Sequence, residues 1–101
     1  EMEIHQYQQA LNDMDRAILL QRDSPTLWAE KASLHLRFSQ TDKAIRSAEI
    51  CTQLAPEYAD GYILLGVANM VAKNKEEGTK ALMKAKELGD ERADEYLKKY
   101  K

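Results

Sequence analysis

A 34-residue recurrence constrains this sequence more than any other feature. Shifted by 34 positions, the sequence aligns small residues with small ones and apolar residues with apolar ones. Such internal periodicity is typical of an array of stacked helix pairs. The matched sets are Ala10, Ala44 and Gly78; Met14, Ala48 and Leu82; Ala17, Cys51 and Ala85; Leu20, Leu54 and Leu88; Trp28 and Tyr62; and Ala32 and Gly66.

The central unit, residues 25–58, has the pattern of two helices joined by a polar turn. Ser24 is a typical helix-capping residue, and Pro25 suits the first helical position because the N–H that it lacks would be unpaired there. We expect Pro56 to stop the second helix, since the residue before a proline is pushed out of helical geometry. The expected helices cover about 25–38 and 42–54.

Residues 1–24 have the pattern of the second half of such a unit. A helix with an apolar stripe is expected from about Tyr7 to Gln21. The pattern of residues 1–6 is weaker, so we expect them either to end a preceding helix or to form an irregular lead-in. The chain starts at Glu1 rather than at a methionine, and we expect it to be part of a longer protein.

Residues 59–101 continue with a further unit and a short final helix. Asn74 and Glu77 have the spacing of a capping box, and Gly89 predicts a left-handed helix stop. Asp90 is a candidate cap for the last helix. The expected division is a partial repeat in 1–24, repeats in 25–58 and 59–92, and a capping helix in 90–101, all within a single domain.

Composition and charge exclude several classes of function. The chain has 101 residues, the size of one domain, with 44% hydrophobic and 32% charged residues. Its net charge of −2 gives no attraction to nucleic acid or to an anionic membrane, and the apolar run over 62–72 is too short to span a bilayer. The single cysteine, Cys51, excludes an internal disulfide framework and favours a reducing compartment such as the cytoplasm.

These residues resemble the tetratricopeptide repeat family, whose 34-residue motif places Trp, Leu-Gly, Tyr, Ala and Pro at fixed positions. The resemblance covers nearly the whole chain. It implies an all-α solenoid of helix–turn–helix units, with about two and a half repeats plus a C-terminal capping helix. Departures from the motif are Lys31, His35, Ala48 and Asp90. The matching residues are Tyr7, Ala10, Met14, Ala17 and Leu20 in the first unit; Trp28, Ala32, Ala44, Cys51, Leu54 and Pro56 in the second; and Tyr62, Leu65, Gly66, Gly78, Leu82, Ala85 and Leu88 in the third.

The resemblance implies a groove for a protein or peptide partner, because the first helix of each pair lines the concave surface in such stacks. In the helix over 59–72, one face is already needed for packing. Ile63, Val67 and Met70 therefore form additional apolar surface that needs a partner. The expected groove residues are Thr26, Ala29, Ser33, Leu36 and Arg37 in one helix and Asp60, Ile63, Val67, Met70 and Val71 in the next.

Other uses of this surface remain open. One alternative is that the chain's own last helix or a second copy covers it. Another is that the domain has a structural or regulatory role in a larger protein, an enzyme included. The helix with Ala10, Met14 and Ala17 lacks its pair mate, so self-association through this helix is a further alternative. The lysine and asparagine set of tetratricopeptide domains that bind chaperone tails is absent from the groove positions. We therefore expect weak or no binding of acidic C-terminal peptides.

No catalytic, cofactor-binding or metal-binding set is evident in the sequence. His5 and His35 lie thirty residues apart without a second ligand at helical spacing, and we expect His35 to be at the surface or partly buried. Cys51 occupies a packing position, which predicts an inert thiol. The stretch 78–80, Gly-Thr-Lys, lacks the preceding spacing of a P-loop. We therefore expect a non-catalytic protein that binds no cofactor, metal or nucleic acid.

Overall fold

Six α-helices follow one another over residues 2–100, the part of the chain that this computed structural model describes, with side chains from Ile4 onward. They are α1 (Met2–Leu20), α2 (Pro25–Arg37), α3 (Thr41–Leu54), α4 (Ala59–Val71), α5 (Lys75–Glu87) and α6 (Arg92–Lys99). Each helix packs on the next, and α2 also contacts α4. This arrangement confirms the expected all-α stack. Within the described residues, no helix combines the length and the apolar character that crossing a bilayer requires.

The first helix begins earlier than the sequence pattern indicated. Residues 2–6 are continuous with the rest of α1, so both alternatives expected for 1–6 are wrong there, while Glu1 lies outside the described residues. Tyr7 explains the difference. Its side chain is buried, and its ring centroid lies 4.6 Å from that of Phe38 at the end of α2. This contact holds the first turns of α1 against α2.

The ends of α2 and α3 are set by the local signals that the sequence contains. The hydroxyl oxygen of Ser24 accepts a hydrogen bond from the backbone N–H of Leu27 at 3.4 Å, and Pro25 is the first helical residue. The helix α3 ends at Leu54, two positions before Pro56. Because a cap and a proline act on adjacent residues only, both boundaries could be predicted without knowledge of the fold.

The predicted caps of α5 and α6 are correct only in part. Asn74 occupies the N-cap position of α5 as predicted, but its side chain makes no hydrogen bond to the helix N-terminus and instead donates to Oδ1 of Asn69 at 3.2 Å. The predicted capping box is therefore wrong. At α6 the N-cap residue is Glu91, whereas Asp90 accepts a hydrogen bond from the backbone N–H of Arg92 at 2.9 Å. Asp90 therefore caps the start of α6 from the position before the N-cap residue.

Three helices end in the same type of turn. The backbone φ is 62° at Ser39, 68° at Lys73 and 95° at Gly89. In each turn the N–H of the following residue donates to the carbonyl oxygen five residues earlier, at 2.8, 2.8 and 3.1 Å respectively. Main-chain closure of this kind is a Schellman cap. The left-handed stop at Gly89 is confirmed, and Ser39 and Lys73, 34 positions apart, adopt a similar conformation without being glycine.

Small residues allow α4 and α5 to approach closely. A Cβ atom at Gly66 would lie 2.6 Å from Cγ of Leu82 and 3.1 Å from the carbonyl oxygen of Gly78. Leu82 itself is fully buried. The large side chain fills the space that the glycines leave, as the alternation of small and large residues in the repeat predicts.

The last helix covers one face of α4. Ala93 of α6 is buried, and Tyr96 and Tyr100 pack against the same cluster. Ile63 and Met70 of α4 are only 4% and 9% exposed. The expectation that these two residues add to an exposed apolar surface is wrong, because both pack in a cluster with residues of α5 and α6. Coverage by the chain's own last helix, one of the alternatives, therefore accounts for part of their burial.

Candidate interaction groove

A cavity of about 540 Å³, which we call the groove, opens between α2, α4 and α6. α2 contributes mostly small or polar residues and α4 mostly aliphatic ones, while α6 adds an arginine and a tyrosine. The lining consists of Thr26, Ala29, Glu30, Ser33 and Leu36 from α2; Tyr58 at the N-cap of α4; Asp60, Ile63, Leu64 and Val67 from α4; and Arg92 and Tyr96 from α6.

The structure brings seven of the ten predicted groove residues together around this cavity. Arg37, Met70 and Val71 do not line it. Arg37 and Val71 are the last residues of their helices, and Met70 is buried in the cluster beneath α6. The seven are Thr26, Ala29, Ser33, Leu36, Asp60, Ile63 and Val67. Their role in binding a partner remains a prediction.

Sequence reasoning missed five residues of the lining. Glu30 lies four positions after Thr26 and three before Ser33, so helical spacing alone would have placed it on the same face. Arg92 and Tyr96 belong to α6; coverage of this surface by the last helix was one of the open alternatives, but no spacing in the sequence assigns particular residues of α6 to the groove. The five are Glu30, Tyr58, Leu64, Arg92 and Tyr96.

An ion-pair network joins α6 to α4 beside the groove. The guanidinium group of Arg92 hydrogen-bonds Oδ1 of Asp60, and its Nη2 and Nε lie 2.6 and 3.0 Å from the two carboxylate oxygens of Asp90. The side-chain hydrogen bond from Arg92 is the main reason why the pKa of Asp90 is lowered. The pKa of Arg92 is raised, first by Asp90 and then by Asp60. The positive charge of Arg92 is therefore already shared between two carboxylates.

Tyr58 hydrogen-bonds the second carboxylate oxygen of Asp60 in α4. Its hydroxyl group donates to Oδ2 of Asp60 at 3.2 Å. Burial raises the pKa of Tyr58, and the negative charge of Asp60 raises it further, so the phenol stays protonated and acts as a donor. Both oxygens of Asp60 thus have a donor from the protein.

Glu30 differs from the other carboxylates of this region. It is exposed, and among the described residues no cation lies within ion-pair distance of it. The same cavity is bounded by Leu64, Val67 and Tyr96, which are half-buried. The groove therefore combines an apolar wall with one carboxylate that the protein does not neutralise.

His35 lies outside the groove and is buried, which corrects the expectation of a surface or partly buried position. It is 3% exposed, and its Nδ1 lies 2.8 Å from the hydroxyl group of Tyr7. Burial is the largest cause that lowers the pKa of His35, followed by the positive charges of Lys31 and Lys43, whereas Asp15 opposes them. A neutral imidazole with its proton on Nε2 can accept the tyrosine hydrogen bond at Nδ1, and the bond joins α1 to α2.

The thiol of Cys51 is also explained by packing. Cys51 is fully buried, and its thiol donates to the carbonyl oxygen of Pro25 at 3.2 Å. Burial raises the pKa of Cys51 to about 11, which disfavours the nucleophilic thiolate. Within residues 2–100, no group of three or more His, Cys, Asp and Glu side chains is placed to hold a metal ion.

Two curated proteins are similar to this chain in sequence. It is 31% identical over 94 residues to the TPR repeat-containing thioredoxin TDX of Arabidopsis thaliana. It is 28% identical over 93 residues to the small glutamine-rich tetratricopeptide repeat-containing protein 2 of Saccharomyces cerevisiae. Each match covers 92% of this chain but 25% and 27% of the relative, so the chain spans about a quarter of their lengths. No protein-family model matches the chain.

A solved structure has the same fold. The first TPR domain of Spaghetti (RPAP3), bound to the HSP90 peptide SRMEEVD, superimposes with a TM-score of 0.88 at 21% sequence identity. The match covers 98% of this chain and 80% of that one. Taken with the 34-residue recurrence and the stack of helix pairs, these likenesses show that the chain has the tetratricopeptide repeat fold, and they support its assignment to that family.

Proposed function

We propose that this chain is a non-catalytic protein-interaction module that binds a peptide or a partner helix in the groove between α2, α4 and α6. The observation that carries the proposal is the groove itself, in which three helices surround an apolar wall. A peptide-bound domain of the same fold supports this type of ligand. The buried states of Cys51 and His35 support the absence of a catalytic role.

The shape of the groove suits side chains of a partner. Thr26 and Ser33 of α2 are short and exposed, so they leave space above the helix. Leu64, Val67 and Tyr96 are half-buried, and a bound segment would remove their remaining apolar surface from water. The volume of about 540 Å³ lies within the range of about 300–1,000 Å³ that is usual for ligand sites.

A peptide-display selection against the chain tests this proposal. Ser33→Trp places a large side chain in the groove from an exposed position, and Gln53→Trp makes the same change on the exposed surface of α3, outside the groove. We expect enriched peptides to bind the wild type and the Gln53 variant equally and to bind the Ser33 variant at least about tenfold more weakly. Circular dichroism checks that both variants fold. Selected peptides that bind all three proteins alike, or a selection without enrichment, would contradict the proposal.

Self-association through α1 is a second candidate, because this helix has unusually exposed apolar residues. Ile4, Leu19 and Leu20 are 63%, 66% and 85% exposed, and α2 is the only described helix on which α1 packs. A second copy that covered this face would remove these side chains from water. Light scattering at high protein concentration tests it: a dimer that Leu20→Gln weakens supports the idea, and a clean monomer counts against it.

A further inference from the structure

The charges around the groove are unbalanced. Among the described residues that line the groove, only Arg92 is positively charged, and it is bound to Asp60 and Asp90. Counted with Glu30 of the groove lining, three carboxylates stand against one guanidinium group, so the region is negative. An incoming anion would have to compete with Asp60 and Asp90 for Arg92, and an incoming cation would meet no such competition.

Of the three carboxylates, Glu30 is the one best placed to bind a cation. Both oxygens of Asp60 already have donors, from Arg92 and Tyr58, whereas Glu30 has no ion-pair partner among the described side chains. On α2 it lies on the same helical face as Ser33, so a cation there stands over the groove. A ligand that fills the groove also removes water around Glu30, which strengthens the attraction.

The apolar wall sets the second requirement on the ligand. Leu64, Val67 and Tyr96 offer no charge, so the side chains that contact them are apolar. A ligand with positive charge alone would leave this wall in contact with water.

We propose that the groove binds an amphipathic segment of a partner protein in which lysine or arginine stands beside the apolar side chains. Glu30 pairs with this positive charge. The inference rests on the proposed function. Acidic segments are disfavoured by the three carboxylates. Segments without charge fill the apolar wall but leave Glu30 unpaired.

Two fluorescein-labelled amphipathic peptides test this inference. They share the same leucine pattern at helical spacing and carry either lysine or glutamate at every polar position. We expect the lysine peptide to bind the wild type at least about tenfold more tightly than the glutamate peptide, with a preference that shrinks as salt is added. Fluorescence anisotropy measures both affinities.

Two charge reversals make the test specific. Glu30→Lys changes the groove, and Glu87→Lys makes the same change in net charge on the exposed side of α5, outside the groove. We expect Glu30→Lys to reduce the preference for the lysine peptide by at least about fivefold and Glu87→Lys to leave it within about twofold. Equal effects of the two variants would overturn the inference, because they would indicate general attraction to a negative protein.

The remaining outcomes separate this inference from the proposed function. Equal binding of the two peptides that Ser33→Trp abolishes would support the groove as a binding site and would overturn the preference for positive charge. Tighter binding of the glutamate peptide would overturn it as well. If neither peptide binds, a basic amphipathic segment is not sufficient and the inference fails, while the display selection still decides whether the groove binds peptides at all.

Discussion

The hydroxyl group of Tyr7 lies 2.8 Å from Nδ1 of His35, and both side chains are buried. The two residues are 28 positions apart, so this hydrogen bond joins α1 to α2. The ring of Tyr7 also stacks on Phe38, which adds apolar contact to the same interface. Because each polar atom satisfies the other away from water, the pair fixes the position of α1 on the stack.

Removing the hydroxyl group tests this role. In Tyr7→Phe the ring stays and Nδ1 of buried His35 loses its partner, so we expect the free energy of unfolding to fall by about 1–3 kcal/mol. Urea denaturation measures the loss. Tyr58→Phe is the matched control, since its hydroxyl group bonds a carboxylate that Arg92 also serves, and we expect a loss below about 0.5 kcal/mol there. Equal losses in the two variants would show that the buried pair contributes nothing special.

The stability of the chain should depend on pH through His35. Burial and the charges of Lys31 and Lys43 lower the pKa of His35 in the folded chain, against the opposing charge of Asp15. The unfolded chain therefore binds a proton more readily below the ordinary value of about 6.5. The contribution of neutral His35 is fully present above that pH and is lost as the pH falls from it towards the lowered pKa of the folded state.

Urea denaturation between about pH 7.5 and about pH 5.5 follows this loss. We expect the free energy of unfolding of the wild type to decrease across this interval. His35→Gln removes the titrating group and should flatten the curve. A slope that persists in His35→Gln would assign the pH dependence to other groups.

The parts of the fold that depend on local signals could be predicted from the sequence, whereas the parts that depend on long-range contacts could not. Ser24, Pro25 and Gly89 act on neighbouring residues, and the helix ends that they predict are correct within about two residues. The bond between Tyr7 and His35 depends on how α1 lies on α2. No spacing within either helix contains that information, so the length of α1 and the burial of His35 could not be predicted.

Because α4 and α5 pack closely, we expect even one added methyl group at their contact to destabilise the fold. In Gly66→Ala the new methyl group would lie 2.6 Å from Cγ of Leu82, so we expect a loss of about 1–3 kcal/mol in the free energy of unfolding, although alanine favours helices. Thermal or urea denaturation measures it.

A double variant shows whether the clash is the cause. Leu82→Ala removes the two atoms that the methyl group would meet most closely, so the loss in Gly66→Ala combined with Leu82→Ala should be smaller than the sum of the two single losses. Gly89→Ala provides the contrast. A methyl group there would meet no neighbouring atom within 4 Å, so its loss of about 1–2 kcal/mol arises from the backbone φ of 95°. Additive losses at positions 66 and 82 would contradict the packing explanation.

We expect the acidic peptide SRMEEVD to bind this chain weakly or not at all. Arg92 is held by Asp60 and Asp90, and Arg37 does not line the groove. Fluorescence titration should show no micromolar binding, and Arg37→Ala should make no difference. Micromolar affinity that Arg37→Ala abolishes would show that the groove receives carboxylates after all and would contradict the charge balance described above.

The same division applies to the candidate site. The positions on α2 and α4 follow from helical spacing, and Glu30 could have been included on that basis. The contributions of Arg92 and Tyr96 could not, because α6 reaches the groove only through its packing on α4 and α5. The charge of the groove is therefore the property that spacing within a helix predicts least well, because Arg92 lies 32 positions from Asp60, which it neutralises.

The turns at Ser39 and Lys73 have a consequence for how such a protein can diverge. Main-chain hydrogen bonds close both turns, although serine stands at the left-handed position of one and lysine at that of the other. In our proposal, the selectivity of the groove depends on residues such as Glu30 in the middle of helices. Scaffold shape and ligand preference therefore rest on different parts of the sequence, and mutation can alter one while the other is retained.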